Sequence, residues 1–96
     1  MQYYSTNKQA PDVTLEEAAV KGLAAVKGLF MPFNIKPLPQ EFYDSFATLG
    51  FKEIAYRVAD AFFGEDVPAD KLKQIVYDAL RFGVPLVKVT ENIYSL

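Results

Sequence analysis

Few side chains in this sequence could carry acid-base or nucleophilic chemistry. Histidine and cysteine are both absent from the 96 residues, which excludes a Ser-His or Cys-His nucleophile pair and any metal site built on histidine or thiolate. Catalysis within these residues would need carboxylates, lysines or tyrosines. The side chains considered are two carboxylate pairs, two lysines and two hydroxyls: Glu16 and Glu17, Glu65 and Asp66, Lys71 and Lys73, and Ser5 and Thr6.

Each of these groups has a simpler structural interpretation. The first carboxylate pair falls in the first turn of a predicted helix, where the helix dipole favours negative charge. The second pair lies in a connection between helices and offers fewer oxygen ligands than a calcium loop requires. The lysines have no apolar pocket or neighbouring cation that would make them nucleophiles, and the hydroxyls have no base. We therefore assign no residue to a catalytic, cofactor-binding or metal site.

Composition limits the class of protein further. The net charge of -2 comes from interspersed charges with no basic stripe, which argues against a nucleic-acid partner. The sequence has no secretory signal pattern and no apolar run of the ~20 residues that span a membrane, so a cytoplasmic protein is expected. Eight Phe and six Tyr in a half-apolar chain indicate one packed domain, 1–96, that buries roughly 60% of its unfolded surface.

The predicted elements give an α+β fold, a small helix-rich domain with about four helices. Short strands are expected at the N-terminus around Tyr3–Thr6, after the first helix, and at the C-terminus. Thr14 and Glu17 have the spacing of a capping box, so the first helix should begin there. Its apolar stripe is predicted to comprise Leu15, Ala18, Ala19 and Leu23.

The loop from Gly22 to Pro32 follows this helix and organises the rest of the chain. Gly22 and Gly28 are predicted to take the left-handed backbone of a helix end and a tight turn. The apolar run that follows, Leu29–Met31, must be buried or paired before Pro32 removes a backbone donor.

The second half of the sequence is predicted to be mainly helical. An extended connector, 33–39, leads into a short helix, 40–46. Two amphipathic helices follow, with stripes at Phe51, Ile54, Ala55, Val58 and Phe62 and at Leu72, Ile75, Val76, Ala79 and Leu80. Gly64 ends the first of them and Pro68 opens the second. Strands are expected around 85–89 and 93–96, with a turn at 90–92.

Several short motifs resemble the N-terminal region of threonine synthases, which are pyridoxal-phosphate enzymes of fold type II. They are the opening Tyr-Ser-Thr, Thr14-Leu-Glu-Glu-Ala18, the Gly22–Pro32 loop with its Gly-Leu-Phe-Met-Pro, the connection Phe63–Pro68, and Pro85-Leu-Val-Lys-Val followed by Asn92-Ile-Tyr. They occur in family order along the whole chain. One departure is that members often carry Asp-Gly-Gly-Leu where this chain has Val26-Lys27-Gly28-Leu29.

The resemblance implies an enzyme that converts O-phospho-L-homoserine and water to L-threonine and phosphate, with pyridoxal phosphate as electron sink. The family motif Glu-Leu-Phe-His-Gly-Pro-Thr-x-Ala-Phe-Lys-Asp, whose lysine carries the cofactor, would begin just after Leu96. We therefore expect the cofactor-binding domains beyond residue 96 and no activity from these residues alone. We also expect the Gly22–Pro32 loop to lie nearest the active-site cleft.

Two other interpretations of the sequence remain open. One is a stand-alone interaction module that binds a partner through the exposed edge near Leu96. The other is a small-molecule-binding regulatory domain, although no Gly-rich phosphate loop or convergent charged cluster favours it.

Overall fold

Four α-helices and five short strands make up the fold, which a computed structural model describes for residues 1–96. The α+β class and the number of helices predicted from the sequence are confirmed. In chain order the elements are β1 (Gln2–Ser5), β2 (Val13–Thr14), α1 (Leu15–Lys21), β3 (Phe30–Pro32), α2 (Gln40–Ser45), α3 (Phe51–Phe63), α4 (Ala69–Ala79), β4 (Val87–Thr90) and β5 (Ile93–Ser95).

The first strand is the centre of a three-stranded antiparallel sheet in the order β2-β1-β3. Tyr3 pairs with Val13 on one side and with Pro32 on the other. The two-residue strand β2 was not predicted, because it is too short to show a period. Tyr3, Val13 and Ala18 form the buried cluster between the sheet and α1, and Phe30 of β3 packs against its edge.

The start of α1 is the predicted capping box. The Thr14 hydroxyl accepts a bond from the Glu17 amide at 3.3 Å, and the Thr14 amide donates to the Glu17 carboxylate at 3.2 Å. The predicted stripe is only partly right, since α1 ends at Lys21 and leaves Leu23 outside it, 62% exposed. Ala19 is exposed as well. Ala18 is the only residue of the stripe that is fully buried.

The loop after α1 uses left-handed backbone, but not at both predicted glycines. Gly22 has φ of 73°, as predicted, and its amide donates to the Ala18 carbonyl at 2.9 Å. The prediction for Gly28 is wrong, because its φ of -74° and ψ of 159° are extended. The left-handed residues are instead Val26, with φ of 56°, and Lys27, with φ of 67°. The turn is thus completed before Gly28 is reached.

The connector and the three later helices lie where the sequence placed them. Phe42 of α2 and Leu72 of α4 are buried, and α3 packs along α4. The predicted stripes are less buried than expected, since Phe51 is 50% and Ile75 57% exposed. The periodic pattern identified the helices correctly but did not show how much of each face is covered.

The two predicted C-terminal strands are present as β4 and β5, and they pair with each other as an antiparallel hairpin. Every residue from 81 to 96 is exposed. Over the whole chain, 7347 Å² remains accessible, about half of what an unfolded chain of this mass exposes. The expected burial of roughly 60% is therefore not reached, and only 8 residues are buried.

The capping box should contribute measurably to stability. Thr14→Ala removes the hydroxyl that accepts from the Glu17 amide, so we expect urea unfolding to give a free energy of unfolding lower by about 1 kcal/mol. Glu16→Ala is the control, because Glu16 lies in the same first turn but holds no backbone amide in the box. Equal losses from the two variants would contradict the role of the cap.

The left-handed backbone at Lys27 gives a second prediction. Lys27→Gly removes a steric conflict between Cβ and the backbone, which outweighs the greater unfolded-state entropy of glycine, so the free energy of unfolding should rise by about 0.5 to 1 kcal/mol. Lys36→Gly serves as the control, since Lys36 is outside the residues with positive φ, and it should lower stability. A loss at Lys27 comparable with that at Lys36 would show that the left-handed conformation carries no strain.

Candidate functional site

The candidate site is the contact between the end of β1 and the Gly22–Pro32 loop. The Thr6 amide donates to the Leu29 carbonyl at 2.9 Å, and the Leu29 amide donates to the Thr6 hydroxyl at 3.0 Å. The ladder between β1 and β3 is thereby extended past the last regular strand pair. The Thr6 side chain serves as a backbone substitute in this pairing.

The Asn7 side chain bonds to two backbone groups and one hydroxyl. Its Nδ2 donates to the Val26 carbonyl at 2.8 Å. Its Oδ1 accepts from the Ser5 hydroxyl at 3.1 Å and from the Gln9 amide at 3.2 Å. Ser5, which is completely buried, also accepts from the Ala10 amide at 3.2 Å. The bond from Asn7 to Val26 fixes the loop to the turn that follows β1. The bonds of Ser5 satisfy a buried hydroxyl that would be costly to leave unpaired.

Gly28 is needed here for space and not for its backbone angle. A Cβ atom at this position would lie 3.0 Å from Asn7 Oδ1 and 3.2 Å from Ser5 Cβ, closer than ordinary van der Waals contact. Gly28 is buried against these two side chains. A larger residue at Gly28 is thus disfavoured by packing against Asn7 and Ser5.

The two hydroxyls considered for chemistry are occupied in this network. Ser5 donates to an amide oxygen and Thr6 accepts from a backbone amide, so neither contacts a base that could activate it. The role of Asn7 was not predicted from the sequence. The bond from the Gln9 amide is that of an Asx-turn, a common role of Asn in turns that could have indicated it.

An open groove of about 490 Å³ lies beside the network. Its lining residues are Tyr4, Ser5, Lys8, Ala10, Asp12 and Phe33. A single lysine and a single carboxylate there do not form a convergent set of charges like those that usually orient a small ligand. The groove therefore supports no assignment of a substrate.

The second carboxylate pair lies beside the first residue of the chain. The Met1 ammonium donates to Asp66 at 3.1 Å and lies 3.7 Å from Glu65. Burial, and after it the negative charge of Asp66, raises the pKa of Tyr3. The Tyr3 hydroxyl is buried without a hydrogen-bond partner, so the cluster that centres on Tyr3 carries an unpaired polar atom. Glu65 and Asp66 are therefore paired with the Met1 ammonium and do not form a set of metal ligands.

A polar cluster joins α3 to α4. The hydroxyl of Tyr77 and the guanidinium of Arg57 each donate to Glu53 at 3.1 Å. The bond from Arg57, then that from Tyr77, lowers the pKa of Glu53, while desolvation and the bond to Glu53 raise the pKa of Tyr77. Lys73 lies 5.5 Å from the centre of the Tyr77 ring and 5.8 Å from that of Tyr56. These contacts give Lys73 a packing role, with cation-π attraction of about 0.5 to 1 kcal/mol at an exposed site.

Two further searches of the structure bear on the class of site. No three carboxylate side chains come together in a group that could hold a metal ion. No helix combines the length and apolar character needed to cross a bilayer.

The comparison with a family model identifies the relatives of this chain. The model described as "Threonine synthase N terminus" matches residues 2–80. The threonine synthase of Serratia marcescens is 30% identical over the whole chain, which covers 22% of that relative. The threonine synthase of Schizosaccharomyces pombe is 36% identical over 77% of the chain and 15% of the relative. The chain thus spans about a fifth of the length of these relatives.

A solved structure supports the same fold. The crystal structure of threonine synthase from Escherichia coli matches with a TM-score of 0.82 at 24% identity. The match covers 98% of this chain and 22% of the other. Because the family model matches well over half of the sequence, the resemblance predicted from its motifs is confirmed: this chain belongs to the threonine synthase family, as an N-terminal domain.

Proposed function

We propose that this chain acts as the N-terminal domain of a pyridoxal-phosphate enzyme that converts O-phospho-L-homoserine and water to L-threonine and phosphate. The observation that carries the proposal is the family match over residues 2–80, together with relatives named threonine synthase that align over the whole chain. The substrate and the reaction come from that family. The cytoplasmic location expected from the sequence stays a prediction.

The residues of this chain do not fit pyridoxal phosphate. A lysine that holds the cofactor covalently needs an enclosed, desolvated pocket. All lysines of this chain are exposed except Lys52, which is half-buried and lies 5.7 Å from the centre of the Tyr77 ring. The approach to Gly28, the glycine most suited to a phosphate by its position in a loop, is occupied by Asn7 and Ser5. The cofactor and the catalytic lysine are therefore assigned to cofactor domains that follow residue 96, and the isolated chain is expected to be inactive.

The role left to this domain is to position a loop. We place the domain as an α+β cap beside the cofactor domains, with the Gly22–Pro32 loop nearest the active-site cleft. Two features of the loop support this placement. Three of its residues have left-handed backbone, and hydrogen bonds with the side chains of Thr6 and Asn7 fix it to the end of β1. A loop held this firmly can present backbone groups in a fixed geometry.

The alternative of a stand-alone interaction module is favoured by one observation, the complete exposure of the β4–β5 hairpin. The length of the curated relatives speaks against it, because the matched region is 22% of one and 15% of the other. The regulatory alternative has only the open groove beside Lys8 in its favour.

The reaction is tested with the longest polypeptide that the gene encodes, whose intact mass is measured first. We expect a mass several times that of this chain, absorbance of bound pyridoxal phosphate, and release of phosphate and L-threonine from O-phospho-L-homoserine. The 96-residue chain assayed in parallel should release neither product. A long, cofactor-loaded protein that leaves O-phospho-L-homoserine intact would contradict the assigned substrate.

The placement of the loop is tested by Gly28→Val in the same full-length protein. The added side chain must displace Asn7 or Ser5, so the loop should shift and activity should fall by about tenfold or more, because small misplacements near a reacting centre are costly. Cofactor occupancy, read from absorbance, should fall as well.

Gly83→Val is the matched control, since a Cβ atom at Gly83 meets nothing within 4 Å. This control should retain activity and cofactor. Normal activity and normal cofactor content in Gly28→Val would remove the loop from the neighbourhood of the active site. Thermal unfolding of both variants separates a local shift of the loop from loss of the fold.

A further inference from the structure

The β4–β5 hairpin carries a run of exposed apolar side chains. We call it the hairpin surface and define it by six side chains, each more than half exposed: Leu86, Val87, Val89, Ile93, Tyr94 and Leu96. Only Lys88 and Glu91 carry charge between residues 84 and 96. Contiguous apolar surface of this kind marks an interaction site on a folded protein.

The apolar side chains lie on both faces of the hairpin. Lys88 pairs with Tyr94, and Thr90 pairs with Ile93. Neighbouring residues of a strand point to opposite faces, so Tyr94 and Ile93 lie on different sides. Strands that are apolar on both faces are typical of the covered interior of a sheet. A two-stranded hairpin is also marginally stable alone in water, so this one needs cover on both sides.

The accessible surface area of the chain is larger than that of a compact monomer, as expected if another polypeptide packs against it. A compact monomer of 10.8 kDa exposes about 5,500 Å², and the observed 7347 Å² is larger by about 1,800 Å². A standard interface buries about 800 Å² on each partner, so the excess is about twice that. The radius of gyration, 16.4 Å, likewise exceeds the ~12.5 Å of a compact domain of this length.

The relatives indicate which polypeptide provides the cover. The family model described as the N terminus of threonine synthase stops at residue 80, just after α4 and before the hairpin. The Escherichia coli structure matches 98% of this chain with a TM-score of 0.82, although that chain is over four times as long. The hairpin is therefore separate from the helices in this chain. The match over 98% of the chain indicates the same arrangement within the fold of a much longer protein.

We propose that the hairpin surface is the docking arm of this domain, and that its occupant is the polypeptide that follows Leu96. The body of the domain, residues 2–80, then forms its own buried cluster, while the arm is completed only when both of its faces are covered by the next domain. This inference rests on the proposed function in one respect, namely that the chain continues as it does in the threonine synthases.

The test uses hydrogen exchange on the full-length protein and on the 96-residue chain. Backbone amides of peptides from 84–96 should exchange at least tenfold more slowly in the full-length protein, since cover on both faces suppresses local opening. Amides of β1 and α1 provide the internal reference and should change little between the two samples. Equal exchange of the hairpin in both proteins would overturn the proposal.

A pair of charge substitutions gives a second measurement. Val89→Asp should lower the melting temperature of the full-length protein by about 5 °C or more, because it buries a carboxylate in the interface. Lys71→Asp on α4 is the control, because Lys71 is an exposed charged residue outside the hairpin surface, and it should change the melting temperature by less than about 2 °C. Equal shifts from the two variants would contradict a covered hairpin.

These results distinguish the docking arm from the enzymatic assignment. An active enzyme with an unprotected hairpin would end the proposal while the function stands. A protected hairpin in a long protein that does not act on O-phospho-L-homoserine would support the docking arm and remove the function. Slow exchange of the 84–96 amides in the 96-residue chain alone, together with a dimer in sedimentation, would show that a second copy of this chain covers the hairpin surface. That result would overturn the proposal.

Discussion

The hydrogen bonds of one amide side chain, that of Asn7, fix the arrangement of the N-terminal half of the chain. Asn7 uses Nδ2 on the Val26 carbonyl and Oδ1 on the Ser5 hydroxyl and the Gln9 amide. Through these bonds the loop is fixed to the end of β1, which places β3 in register with β1 and brings Phe30 against the buried cluster. Because Ser5 is fully buried, its hydroxyl requires this partner.

The same network explains how non-glycine residues keep a left-handed backbone. Val26 is β-branched and Lys27 is long, and both have positive φ, a conformation that costs roughly 1 to 3 kcal/mol when nothing supports it. The bond from Asn7 to the Val26 carbonyl provides support at that point. Gly28 has the complementary role, since its missing side chain lets Asn7 approach. One glycine often provides both a left-handed backbone and room for a neighbouring side chain. Here Val26 and Lys27 adopt the left-handed backbone, and the adjacent Gly28 provides the room.

The elements that the sequence predicted well depend on local interactions. The capping box of Thr14 and Glu17 spans three residues, and its bonds follow from spacing alone. The helices α3 and α4 and the terminal hairpin were recovered in the same way.

The features that the sequence did not predict depend on contacts between distant residues. The close packing of Gly28 against Ser5 and Asn7 joins positions more than twenty residues apart, and the strand β2 exists only as a partner of β1. The exposure of Leu23 shows the same limit, because periodicity cannot indicate where α1 ends against its surroundings. The absence of histidine and cysteine was the compositional fact that most restricted the candidate chemistry.

The exposed hairpin also has a consequence for synthesis on the ribosome. In a polypeptide as long as the Serratia marcescens relative, about 340 residues would follow this region, and their translation takes roughly 20 to 70 s at ordinary elongation rates. The domain body can fold during that delay, whereas the strands β4 and β5 wait uncovered. Lys88 and the turn residue Glu91 then lie within the apolar segment, where charge limits strand-to-strand aggregation between nascent chains.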